Sequence, residues 1–239
     1  MPEQWATIVE QHVALWRTFD DRERSLLQES SDWLLRHKHW EAASGFALTD
    51  EIRVTIAVQA ALLIMELGVD ELREVSAIIV YPSAMRSRTL HAGPAPGTVM
   101  RDPVPVLGEA HGDRGPVLIA WDEANEAARH LGRGHNVVLH EFAHKLDMFD
   151  HVLDGTPLLD DRELLTRWVN ACTEVYTALR AGMDRPPLSP YAATNPAEFF
   201  AVATEVFFDA AVELEQAEPA LYDVLCDYFK QDPAARARR

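Results

Sequence analysis

The sequence predicts an α+β fold that is mainly helical, with one small mixed sheet in the middle of the chain. Three observations carry that expectation. Apolar residues recur at helical spacing over most of the first 70 positions. Two short apolar runs, rich in β-branched residues and each bounded by a proline, punctuate the middle. From Asp122 onward the pattern is helical again.

The elements follow in order. From Glu3 to about His37, Trp5, Ile8, Val9, Val13 and Trp16 make one helical stripe, and Leu26, Leu27, Trp33, Leu34 and Leu35 suggest a second. A break at Ala43-Ser44-Gly45 precedes a third helix, opened by Thr49-Asp50-Glu51 and stopped at Gly68. Apolar nearly all round, it is expected to be the central core helix. Val75 to Tyr81, closed by Pro82, reads as a strand, and Pro116 opens a second from Val117 to Trp121. The Gly-, Pro- and Arg-rich stretch between them suggests a hairpin near Thr98–Val106. One domain is expected over 1–239, with a helical part about 1–70, the sheet and its following helix about 71–155, and a C-terminal helical part about 156–239.

Composition narrows the function. The 239 residues are 48% apolar and 25% charged, which excludes disordered and low-complexity classes and leaves chain enough for a sizeable core. Lys+Arg 22 against Asp+Glu 38 gives a formal charge of −16. Such a surface repels phosphate backbones and anionic lipid, so nucleic acid and membrane are not expected partners. Cys172 and Cys226 fit no disulfide framework or metal knuckle and read as thiols of a reducing compartment. Met1 to Gln4 lacks the features of a signal peptide, and Val54–Leu67 is too short and too interrupted to span a bilayer. A cytoplasmic location is expected.

The chemistry lies in His140-Glu141-Phe142-Ala143-His144. A helix turns by about 100° per residue, so His140 and His144 stack one turn apart, with Asp147 on the same face. Val138, Leu139, Phe142 and Leu146 fall opposite. Two imidazoles at this spacing suit one tetrahedral zinc per chain, and the intervening Glu141 can take a proton from water. A third protein ligand is still needed. Asp150 and His151 follow at the wrong geometry, because no glycine turns the chain before Gly155. A later helix beginning Asn195-Pro196-Ala197-Glu198 offers Glu198 and Glu205, seven apart on one face. Spacing leaves both open, and Glu198 also has capping-box spacing to Asn195.

The segment His140 to Met148, followed by Tyr191-Ala192-Ala193-Thr194-Asn195-Pro196-Ala197-Glu198-Phe199-Phe200, resembles the Mlc titration factor A family. These are zincin-like bacterial metallopeptidases distantly similar to the catalytic domain of anthrax lethal factor. The likeness extends over roughly Leu48 to Pro233, through Ile56–Leu63, Val80-Tyr81-Pro82, Gly115 to Asp122 and Tyr228 to Pro233. It implies zinc on His140, His144 and Glu198, Glu141 as general base, and Tyr191 as hydrogen-bond donor to the oxyanion. Glu205 then becomes a supporting or helix-face residue, and Asp147 either orients a ligand histidine or is a plain surface acid. The resemblance also implies aminopeptidase-like action on small peptides and a regulatory role through binding a repressor of glucose-uptake genes. The alternative is a non-catalytic anti-repressor in which zinc is vestigial or regulatory. The Val117–Trp121 strand offers an edge to an extended peptide.

Overall fold

The computed structural model of the chain describes residues 2–43, 45–83, 91–92, 99–100 and 115–239. It opens with α1 (Trp5–His12) and a 3₁₀ turn at Ala14–Thr18, then α2 (Asp21–His37) and β1 (His39–Ala42). Next come α3 (Asp50–Ile64), a 3₁₀ turn at Val69–Leu72, and β2 (Ala77–Tyr81). β3 (His91–Ala92), β4 (Val99–Met100) and β5 (Val117–Ala120) follow. The rest is helical: α4 (Trp121–Arg129), α5 (Val137–Asp147), α6 (Arg162–Arg180), α7 (Pro196–Asp209), α8 (Ala211–Ala217), α9 (Pro219–Phe229) and α10 (Pro233–Ala237). The mainly helical α+β expectation holds.

The helices start where polar caps place them. The Asp20 side chain accepts from the Glu23 backbone while Glu23 reaches back, closing a capping box on α2. Thr49 caps α3, Asn136 caps α5 and Asn195 caps α7 with Pro196 at the first position. α3 is buried along almost its whole length, Ile52 and Val54 through Ile64, and packs against α1, α2, α4 and α5. It is the central core helix that its all-round apolarity predicts.

The main sheet has the order β1-β2-β5, and all its pairings are parallel. The antiparallel component is a separate two-residue pairing of β3 with β4. The hairpin expected near Thr98–Val106 lies largely outside the described residues. β1 escaped the sequence reading for a physical reason: its four residues are mostly exposed and show no alternation. The second strand ends one residue early, because Trp121 already opens α4. Ile78, Val80 and Ile119 are fully buried and join the helices in one apolar cluster. Among the described residues no helix is long and apolar enough to cross a membrane.

Two polar devices fix α5 within this core. Gln59 of α3 donates to the carbonyls of Thr55 and Ala124 and accepts from the Asn136 amide. Satisfied in this way, it ties the cap of α5 to α3 and α4 without leaving a buried polar atom unpaired. At the other end, the chain turns back at Gly155, whose N–H donates to Asp147 Oδ2 at 2.9 Å.

Candidate metal centre

α5 and α7 pack side by side. Val138, Leu139, Phe142, Ala143 and Leu146 of α5 are buried, as are Phe199, Phe200, Val206 and Phe207 of α7. Each helix is therefore held in both rotation and register by apolar packing. That orientation brings His140 and His144 of α5 against Glu198 and Glu205 of α7.

The distances define a centre. His140 Nε2 and His144 Nε2 lie 3.2 Å apart, with their rings nearly perpendicular. Glu198 Oε2 is 3.0 Å from the first and 3.6 Å from the second. His140, His144 and Glu198 each offer one ligand atom, and these lie within 4.8 Å of one another. A tetrahedral ion with bonds of about 2.0–2.1 Å holds its ligand atoms ~3.3 Å apart, which is the spacing seen here.

The proton inventory points the same way. Glu205 Oε1 sits 2.7 Å from His140 Nδ1. A carboxylate only accepts, so the network assigns the proton to Nδ1 and leaves the Nε2 lone pair facing Glu198. Glu198 Oε2 is itself buried without a hydrogen bond among the described residues. Lone pair thus faces lone pair across the centre, and a cation there satisfies all three residues. In the absence of an ion the same carboxylates draw a proton to the spot. Burial opposes the charge on His140, yet the Glu198 and Glu205 carboxylates beside its two nitrogens outweigh it and push the imidazole up to about 10. Burial likewise works against the Glu198 anion, but the two imidazoles hold its carboxyl well below the usual range.

Glu198 heads α7, where the Asn195 side chain accepts from its backbone N–H. Its carboxylate faces the imidazoles, so the capping-box spacing does not account for it. Glu205, one of the two candidates that spacing left open, is 2% exposed. It holds three groups at once: His140 Nδ1, His135 Nδ1 at 2.9 Å, and the Asn136 N–H. The parts played by His135 and Gln59 left no signal in the sequence, because both depend on contacts between segments distant in the chain, His135 with Glu205 and Gln59 with Asn136. Of the two readings of Asp147, the plain surface acid is excluded, since the residue is 0% exposed. Asp150 accepts from the Val152 N–H in an exposed turn, and His151 is exposed beside it.

A cleft of about 370 Å³ opens beside the three ligands. Glu141, His144 and Glu198 line it together with Val117 and Leu118 of β5. Met148, Leu153, Pro196 and Ala197 give it further apolar wall. Burial raises the Glu141 carboxyl above its ordinary value, against the pull of both imidazoles. Tyr191 stands in a 3₁₀ turn with its ring 6.2 Å from that of His140. Burial and the neighbouring Glu198 carboxylate raise its phenol further, so it remains an O–H donor.

A helix carrying two histidines and a glutamate, completed by a glutamate from a second helix beside an open cleft, defines the metallopeptidase class. The chain belongs to the glucose-regulated metallo-peptidase M90 family, whose profile matches residues 1–230. It is similar to "Uncharacterized protein slr2042" of Synechocystis, at 33% identity over 98% of this chain and 86% of that protein. It is also similar to the proteins named Mlc titration factor A in Yersinia pestis and Yersinia pseudotuberculosis. Each of these is 29% identical across 100% of this chain and 88% of its own length. Membership of that family implies a metal ion, and the donor set found here fits one.

Proposed function

We propose that the protein is a zinc-dependent peptidase that cleaves small peptides in an aminopeptidase-like manner in the cytoplasm. One observation carries the proposal: three ligand atoms converge at the edge of a cleft that two of their residues, His144 and Glu198, line together with Glu141, a carboxylate of raised pKa. His140, His144 and Glu198 would hold the zinc. When bound, it supplies Lewis-acid chemistry, polarising a carbonyl and acidifying water. The other roles belong to the protein. Glu141 accepts a proton from water at its carboxylate and delivers it to the leaving amine nitrogen. Tyr191 Oη donates a hydrogen bond to the carbonyl oxygen as negative charge develops there. Glu205 holds His140 with its Nε2 lone pair toward the centre. β5 has one hydrogen-bonded neighbour among the described residues, β2, so its other edge can pair with an extended peptide along the cleft.

The test is hydrolysis of a fluorogenic peptide series by zinc-reconstituted protein, wild type beside Glu141→Gln. The variant should keep its zinc and lose at least ~10²-fold in kcat. A Glu141→Gln protein as active as wild type refutes this mechanism.

A second reading is favoured by the name of the Yersinia relatives, Mlc titration factor A, which points to the Mlc repressor. On that reading the protein sequesters a transcriptional repressor of glucose uptake, and zinc is vestigial or regulatory. Capture of such a repressor by the Glu141→Gln protein, alongside a wild type with no peptidase activity, would favour it.

A further inference from the structure

Two buried polar atoms at the centre have no hydrogen-bond partner among the described residues, and they are chemically complementary. One is His144 Nδ1, the ring nitrogen turned away from Glu198, and the other is Asp147 Oδ1. Asp147 follows His144 by three residues on α5, which puts both side chains on one face of the helix. The second carboxylate oxygen of Asp147 is already committed, accepting the Gly155 N–H at 2.9 Å. That contact has little freedom. Gly155 has φ +80, and a Cβ there would lie 2.2 Å from the Pro196 carbonyl oxygen. Its backbone is therefore pressed against the start of α7, two residues before Glu198. The carboxylate is anchored from one side and its second oxygen is sealed from solvent; the two orphaned atoms share a helix face without being hydrogen-bonded to each other in the metal-free arrangement.

We infer that Asp147 is a positioning residue for His144, its Oδ1 accepting the Nδ1 proton so that Nε2 is left as the metal ligand. The inference rests on the metal-site reading above. It assigns His144 the support that Glu205 gives His140, but from a different element. Glu205 comes from α7, whereas Asp147 is on α5 and is held by the turn at Gly155. Each ligand histidine then has its own carboxylate, and the Asp147 carboxylate also joins the metal helix to the segment that walls the cleft at Met148 and Leu153. Burial pushes Asp147 up to about 6, opposed by the Gly155 N–H, by the charge of the nearby His144 ring and by the Thr156 N–H.

The test is zinc affinity by competition with a chromophoric chelator, wild type beside Asp147→Asn, with circular dichroism as a check on folding. Asparagine keeps a carbonyl for Gly155 but presents an NH₂ where Oδ1 was. Two donors then face each other, and the imidazole is driven toward the Nε2–H tautomer, which cannot ligate through that nitrogen. The expected result is a 10–100-fold weaker zinc affinity in a folded protein. Equal affinity in the two proteins overturns the inference and leaves the metal site standing. A wild type that takes up no zinc overturns the site reading and this inference with it. If Asp147→Asn does not fold, long-range ¹H–¹⁵N correlation of the zinc-loaded wild type decides instead. An Nδ1–H tautomer of His144 with a slowly exchanging proton supports the assignment, and an Nε2–H tautomer or a freely exchanging Nδ1 proton refutes it.

Discussion

At the scale of single residues, the centre is a case of carboxylates placed against imidazoles. Glu198 and Glu205 are both held ionised against their burial, and each uses a different nitrogen of His140. Asp147 is the opposite case, a buried acid pushed up to about 6 from 3.8. A raised carboxyl pKa means that folding favours the protonated form. In metal-free protein its contribution is therefore fully present below about pH 4 and is lost as pH rises through about 6. Asp147→Asn should then gain on the wild type between pH 4 and pH 7, by about 3 kcal/mol at most, in urea unfolding of the metal-free proteins. A stability difference flat across that range would contradict the buried-acid picture. The same substitution weakens zinc affinity if Asp147 orients His144, so the two effects have opposite signs.

At the scale of elements, two close approaches set the site: α5 against α7, and the turn at 151–156 against the first residue of α7. The second rests on Gly155, where a Cβ meets backbone rather than a side chain that could move. Gly155→Ala combines a left-handed φ with that clash and should cost about 3 kcal/mol in the unfolding free energy of the metal-free protein. A cost under about 0.5 kcal/mol would show that the turn relaxes freely. Elements of this kind were unequally legible in the sequence. α3, α5 and α7 could be read because caps and apolar periodicity coincide at Thr49, Asn136 and Asn195. β1 could not, since its four residues bury almost nothing and are strand only because β2 lies alongside. The ligand histidines were readable from their spacing on one helix. Spacing alone did not separate Glu198 from Glu205, because both face α5; the family resemblance pointed to Glu198, and the distances across the interface bring Glu198 to the ligand nitrogens. Asp147 was ambiguous for the same reason: helical phase places it beside His144 but says nothing of the turn that seals it.

At the scale of the whole molecule, a chain of formal charge −16 surrounds the centre. That field favours a divalent cation and disfavours polyanions. The half-buried ligand set sits on α5 and α7, the two helices whose apolar faces join the core cluster around α3, so occupancy of the centre is linked to folding as well as to chemistry. The most direct test of the account is therefore the metal content of purified, zinc-reconstituted protein after exhaustive dialysis, wild type beside Glu198→Ala. The account predicts about one zinc per chain in the wild type and a sharp loss in the variant. An unchanged zinc content in Glu198→Ala, or none in the wild type, would contradict it.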